Sequence, residues 1–345
     1  MSSGLNERRP LAAILGCSGP ALTAEERSFF QKANPYGFIL FRRNCKTPDQ
    51  LRRLVDDLRG AVGRADAPVL IDQEGGRVQR LRAPHWAEHP AAGRFSALAE
   101  RDPDLAERAV ELNARSIAIM LREHGITMNA APVLDLRLPG ASDVVGDRSF
   151  GQDPELVARL GRAAARGYLS MGIIPVVKHM PGHGRATVDS HLALPVVTAD
   201  RETLALTDFR PFQALADLPW AMTGHIVFQA IDPDRPATLS ATVIGEVIRG
   251  EIGFDGVIVS DDLSMGALEG PIGRRAADAV AAGCDLALHC NGVLAEMEAV
   301  AGSVPPIGDA THSRLKRHPP AEYRPWSVAE AEEIRAELAR ALAVG

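Results

Sequence analysis

The sequence predicts an α/β fold, a single (β/α)₈ TIM-type barrel with a C-terminal helical extension. Short apolar, β-rich runs alternate with amphipathic stretches along the chain, the pattern of parallel βαβ units. Eight such runs can be counted, the number that closes a barrel. The competing fold, an open doubly wound sheet, wants a glycine fingerprint after its first strand, and Gly16-Cys17-Ser18-Gly19 lacks the GxGxxG spacing. At roughly 150 residues per domain a chain of this length would make about two, but a barrel absorbs it in one.

The expected strands are Ala12–Leu15, Gly37–Phe41, Val69–Asp72, Thr127–Val133, Ile174–Lys178, Ala221–His225, Val257–Asp261 and Asp285–His289. Between them, Pro48–Val62 sets Leu51, Leu54, Val55 and Leu58 at helical spacing behind Thr47 as N-cap. Helices are also expected at Pro103–Glu123, Pro154–Met171, Ala205–Asp217, Ala241–Arg249 and Arg274–Ala282. Asp102-Pro103 and Asp153-Pro154 pair an N-cap with a first-turn proline. After the barrel, expected over 1–302, a tail of 303–345 begins as a proline-interrupted basic segment, Ser303–Pro325. It ends in a helix near Ser327–Ala343, with Ser327 and Glu330 as a capping box and Ile334, Leu338 and Leu342 as an apolar stripe. That helix packs on the barrel or on a partner.

Composition narrows the function classes. With 38 Lys+Arg against 44 Asp+Glu the net charge is −6, which argues against a nucleic-acid surface. Apolar runs fall short of the ~18–20 residues of a membrane span. Arg8 and Arg9 before Leu11–Cys17 imitate a lipoprotein signal, but Leu11–Gly16 is shorter than the usual ~7–15-residue apolar core of one. Cys17, Cys45, Cys284 and Cys290 are unpatterned and read as buried free thiols in a reducing compartment. The expectation is a cytoplasmic, monomeric enzyme.

Unusual polar clusters fall at the C-terminal ends of four expected strands, the end that carries the active site of a barrel. They are Asp72–Arg80, Lys178–His191, Thr223-Gly224-His225 and Ser260–Met265. The loop Lys178–His191 holds His179, His183, Asp189 and His191, with Pro181, Gly182 and Gly184 to bend it. Two chemistries could use it. One is a divalent metal on the imidazoles and carboxylate, although the spacing is not that of an HExxH helix. The other is acid/base work by His191, whose neighbour Asp189 at i, i+2 can bond the ring and raise its pKa. In Asp261-Asp262, alternate strand positions face opposite ways, so one carboxylate meets the barrel mouth and the other holds the next loop. A rim carboxylate opposite a protonatable loop suits double-displacement glycoside hydrolysis. The plainer role for Asp261 is N-cap of the helix after Met265.

Taken together, Asp72-Gln73-Glu74-Gly75-Gly76-Arg77-Val78-Gln79-Arg80, the loop Lys178-His179-Met180-Pro181-Gly182-His183-Gly184 closing on Asp189-Ser190-His191, and Ser260-Asp261-Asp262-Leu263-Ser264-Met265 resemble glycoside hydrolase family 3. More narrowly, they resemble its single-domain bacterial β-N-acetylglucosaminidases of cell-wall recycling. The resemblance implies Asp261 as nucleophile, His191 as general acid/base and Asp189 as the group that orients and charges it. It implies Asp72, Arg80, Lys178 and His179 as contacts to the terminal N-acetylglucosamine, and Arg148 as a further sugar-contacting arginine. His183 then shapes the loop. Met180 and Arg185 depart from the residues usual at their positions. The implied reaction retains configuration through a glycosyl–aspartate and calls for no metal or organic cofactor. Phosphorolysis on the same scaffold and a metal-dependent hydrolase built on the loop histidines are the alternatives.

Overall fold

The computed structural model describes residues 9–190, 193–318 and 325–343. Eight parallel strands close a barrel: β1 (Leu11–Leu15), β2 (Pro35–Leu40), β3 (Val69–Ile71), β4 (Met128–Asn129), β5 (Ile174–Met180), β6 (Trp220–Thr223), β7 (Val257–Asp262) and β8 (Leu286–His289). Each pairs with its sequence neighbours and β8 returns to β1. All eight expected strands are present. The fourth is shorter than the expected Thr127–Val133: pairing stops at Asn129, ahead of Pro132, which has no amide to donate, and resumes only as a bridge from Val133 to Lys178.

Strand alternation sorts the core into two layers. Ala12, Ile14, Ile39, Leu70, Val176, Trp220, Met222, Val257, Val259, Leu286 and Leu288 pack inside the barrel. Their strand neighbours Ala13, Leu15, Leu40, Ile71, Val177, Ala221 and Ile258 pack outward against the helices. The inner parity has a direct consequence for chemistry. Asp72, Lys178 and Asp261 each stand two residues beyond an inward apolar residue (Leu70, Val176, Val259), so the period of two delivers all three to the C-terminal mouth.

The surrounding helices follow the caps read in the sequence. Pro48–Val62 starts as expected, and Asp102 and Asp153 accept from Leu105 N and Glu155 N at 2.9 and 3.0 Å. The expected helix Ala205–Asp217 is instead two short ones, Arg201–Leu206 and Arg210–Ala214. Pro211 cannot extend a helix running into it, so the chain restarts with the proline in a new first turn. The segment expected at Ala241–Arg249 takes wider π-type turns over Val243–Glu251. The helix after Met265 begins only at Ile272, behind Pro271, so Asp261 is not its N-cap.

Four helices were not anticipated: Ala24–Ala33, Ala92–Ala99, Leu294–Ala301 and Asp309–Arg317. The last lies inside the segment expected to be a proline-broken basic tail. It sits under the barrel, with Leu315 packed against the inner core. Arg314 pairs with Asp285 at 2.9 Å and Arg317 with Asp255 at 2.6 Å. The tail's basic charge thus neutralises acids at the barrel floor. Helix Val328–Ala343 lies along Pro103–Arg122, tied by Arg108–Glu337 and Arg115–Glu330 at 2.9 and 3.0 Å. Ser327 caps it by accepting from Glu330 N. All four cysteines are buried and free, and no helix among the described residues is long and apolar enough to cross a membrane.

Helices Pro103–Arg122 and Pro154–Ser170 approach closely at Gly167, where an added Cβ would lie 2.5 Å from Glu111 O and 2.7 Å from the Ala114 methyl. Gly167→Ala should therefore destabilise the fold by about 1–3 kcal/mol despite alanine's better helix propensity. Thermal melts check this, and an unchanged or raised Tm would mean that the two helices part without penalty.

Candidate active site

The C-terminal mouth of the barrel holds a cleft with about 250 Å³ of space, lined among others by Asp72, Glu74, Arg80, Arg148, Lys178, His179, Asp189 and Asp261. Seven of the eight residues singled out in the sequence thus meet at one place. The eighth, His191, lies outside the described residues.

Lys178 is the centre of the ionic arrangement. Its buried Nζ lies 2.8 Å from Asp72 Oδ1 and 2.7 Å from Glu74 Oε1. Arg80 closes on the other Asp72 oxygen at 3.0 Å and rests over the Phe41 ring. Arg148 grips Glu74 with two parallel bonds of 2.8 Å, from Nε to Oε2 and from Nη2 to Oε1. Burial alone would strip the proton from Lys178, but Asp72 and Glu74 hold its pKa above the ordinary lysine value. Burial likewise opposes ionisation of Asp72, and Lys178 and Arg80 overcome it, leaving the carboxyl far below the usual range. Such buried charges persist only as a complete, hydrogen-bonded set.

A local device brings Arg80 back to Asp72. Gly75 and Gly76 take positive φ of 107° and 56°, and a Cβ on Gly75 would strike Pro90 O at 2.2 Å. The buried Gln73 side chain then staples the returning strand by accepting from Arg80 N (2.9 Å) and Leu81 N (3.0 Å).

The three acids near the nucleophile position are engaged differently. Glu74 accepts from Lys178 and twice from Arg148. Asp262 Oδ1 accepts from Ser264 N (3.0 Å) and Cys290 N (3.1 Å), and Oδ2 from Ser264 Oγ (2.7 Å), so it holds the following loop as expected of one member of the pair. The Asp261 carboxylate takes one hydrogen bond among the described residues, from Asp262 N at 2.8 Å. Burial pushes its pKa up, but His179, His225, that amide bond and Lys178 together leave it below the ordinary value. His225 is itself kept from charging by burial. His225 otherwise serves the scaffold, donating from Nε2 to Asp262 O (2.9 Å) and bonding Thr238 through Nδ1 (2.9 Å).

Two partners were not foreseen. Glu74 consumes the fork of Arg148, which therefore reaches the cleft already paired. Asp135, on the chain after β4, accepts from His179 Nδ1 at 2.6 Å and from the backbone N–H groups of His179 (3.1 Å) and His183 (2.7 Å). Around the loop, His183 bonds Ser190 Oγ at 3.1 Å, and burial holds its pKa at about 4, so it is neutral and structural. Arg185 anchors to Asp208 at 2.7 Å, and Met180 packs outward into the helix-facing core, away from the cleft. No group of three His, Cys, Asp or Glu among the described residues is arranged to hold a metal.

The glycosyl hydrolase family 3 N-terminal domain matches residues 11–317. The chain belongs to glycosyl hydrolase family 3. Within it, the chain is 44% identical over 282 residues to a beta-hexosaminidase of Alkalilimnicola ehrlichii, covering 81% of this chain and 80% of that protein. It is 36% identical over 321 residues to a beta-hexosaminidase of Bordetella avium, covering 91% and 87%. The fold superimposes on NagZ from Neisseria gonorrhoeae in complex with N-trifluoroacetyl-D-glucosamine with a TM-score of 0.86, at 30% identity over 98% of both chains. In this family 3 barrel, Lys178, Asp72 and Glu74 order one another at the C-terminal mouth.

Burial would raise the Glu74 carboxyl, yet Arg148 and Lys178 hold it at about 2 against 4.5 for the free group. A carboxyl depressed in the folded state stabilises it above the unfolded pKa and loses that contribution as pH falls through the folded one. Glu74→Gln should accordingly lower Tm at pH 6–7, with the deficit shrinking between about pH 4.5 and 2. Melts across that range check it; a deficit independent of pH would remove the ion-pair explanation.

Proposed function

We propose that this glycoside hydrolase, a β-N-acetylhexosaminidase, removes terminal β-linked N-acetylglucosamine from cell-wall muropeptides with retention of configuration. Asp261 attacks the anomeric carbon, and His191, charged and oriented by Asp189, protonates the leaving oxygen. The glycosyl–aspartate forms through an oxocarbenium-like transition state. The imidazole, now neutral, then takes a proton from water as that water opens the intermediate. Asp72, Arg80, Lys178, His179 and Arg148 form the sugar-binding set, Asp72 offering acceptors and the cations donors to the ring hydroxyls. Catalysis belongs to the barrel of residues 1–302, with 303–345 as supporting tail, and a cytoplasmic location suits a muropeptide substrate.

The observation that carries this reading is the contrast among the acids. Asp261 extends the inward face of β7 into the cleft with a single hydrogen bond among the described residues, while Asp262 and Glu74 have their oxygens occupied. A carboxylate that is ionised, lightly bound and set at the mouth is the one able to attack carbon. The relatives named beta-hexosaminidase and the aminosugar derivative in the Neisseria complex support the sugar class.

The test is to trap the enzyme with a slow 2-deoxy-2-fluoro glycoside and map the labelled peptide. The label should sit on Asp261 and the released sugar should be the β-anomer; a label on another residue, or the α-anomer, overturns the assignment. Asp261→Asn should abolish nearly all turnover while leaving Tm within a few degrees. His191→Ala should damage substrates with poor leaving groups far more than activated aryl glycosides. Asp189→Ala should make activity fall away at a lower pH on the alkaline side, because the ring loses the charge that favours its protonated form.

A further inference from the structure

The loop after β4 carries an acid that neither the sequence motifs nor the sugar-binding set includes. Asp135 has a wholly buried side chain in a pinned backbone. Leu134 N donates to Lys178 O at 2.8 Å, Ser149 Oγ donates to Asp135 O at 2.6 Å, and Gly184 lies so close to Leu136 that a Cβ would meet its carbonyl oxygen at 2.4 Å. Three N–H groups converge on its two oxygens. Oδ1 receives the amides of His179 and His183, which brackets the turn between them, and Oδ2 receives His179 Nδ1 at 2.6 Å.

A carboxylate only accepts hydrogen bonds. Burial favours the neutral acid here, but the neighbouring imidazole of His179 and the amide of His183 hold the group at about 2, so it is ionised wherever the enzyme works. His179 Nδ1 must then carry a hydrogen. The ring's remaining nitrogen, Nε2, is left without one in the neutral imidazole and is an acceptor. His179 lines the cleft together with Asp72 and Asp261. The cleft is otherwise rich in donors from Arg80, Lys178 and Arg148, so an accepting ring atom there gives a sugar hydroxyl a partner for its own hydrogen.

We infer that Asp135 is a positioning residue of the glycosidase reaction: it fixes the Nδ1–H tautomer of His179 and so presents Nε2 as an acceptor to a hydroxyl of the bound sugar. It acts through His179 and touches no substrate. The inference rests on the proposed role of His179 in sugar binding, but its primary readout, the ring tautomer, is independent of which residue attacks.

The test is nitrogen-15 NMR of histidine-labelled enzyme, with His179 assigned by comparison with His179→Ala. The unaltered protein should show His179 with hydrogen on Nδ1. In Asp135→Asn the amide oxygen can keep both backbone bonds while its NH₂ must donate to the ring. The hydrogen should therefore move to Nε2, and kcat/KM should fall on the order of 10²-fold, as expected when a catalytic-site histidine is held in the wrong tautomer. The same substitution made in His179→Ala should cost less than twofold, because the effect passes through the ring. An Nε2–H ring in the unaltered enzyme overturns the inference, and this measurement stands even if Asp135→Asn fails to fold. An equal loss from Asp135→Asn with and without His179 also overturns it, since that is the mark of a purely structural acid. If trapping labels a residue other than Asp261 while the tautomer shifts as stated, the attacking group is wrong and the role of Asp135 stands.

Discussion

A buried ammonium shared by two carboxylates sets the terms for everything at the barrel mouth. Lys178 enters from β5 at an inward position, where its charge could not survive alone. Asp72 and Glu74 from the loop after β3 supply the compensation, and they in turn recruit Arg80 and Arg148. The result is a cross-brace between β3, β5 and the loop around Arg148 in which each charge fixes the rotamer of the next. The brace and Asp261 together bring six ionised groups, three of each sign. Strongly polar in its parts, such a mouth can meet an uncharged polyol with donors and acceptors already aimed.

Selecting one acid for attack is a problem of withholding hydrogen bonds as much as of supplying them. The two neighbours on β7 both line the cleft and diverge in what holds their carboxylates. Asp262 ends among the amides of Ser264 and Cys290 and becomes part of the loop's framework. Asp261 continues the row of Val257 and Val259 into open space. One residue of register thus separates a scaffold acid from the one proposed to attack.

Much of this was legible in the sequence because it depends on periodicity. Eight apolar runs and the polar residues placed at their ends were enough for the barrel and for placing Asp72, Lys178 and Asp261 at its C-terminal mouth. What stayed hidden depends on contacts between distant segments. Glu74 and Arg148 meet across 74 positions through two irregular loops, and no local pattern announces the pair. Asp135 reads in sequence as a lone polar residue between Val133-Leu134 and Leu136, and only the fold brings it to His179. The helix Ala24–Ala33 is a different kind of omission. Thr23 and Glu26 form a complete capping box, a signal written in the chain that the polar first turn obscures. The division of Ala205–Asp217 was also readable, since Pro211 stands in the middle of the expected helix.

The helix Asp309–Arg317 gives the barrel an asymmetry between its two ends. One end is left open for solvent and sugar; the other is stoppered by Leu315 and clipped by Arg314 to the acid at the root of β8. The barrel's closure in space therefore comes later in the chain than its last strand. During synthesis the sheet can be fully emerged while its underside still awaits a plug some twenty residues downstream of His289, a stretch in which an exposed hydrophobic lumen would be a natural target for chaperones.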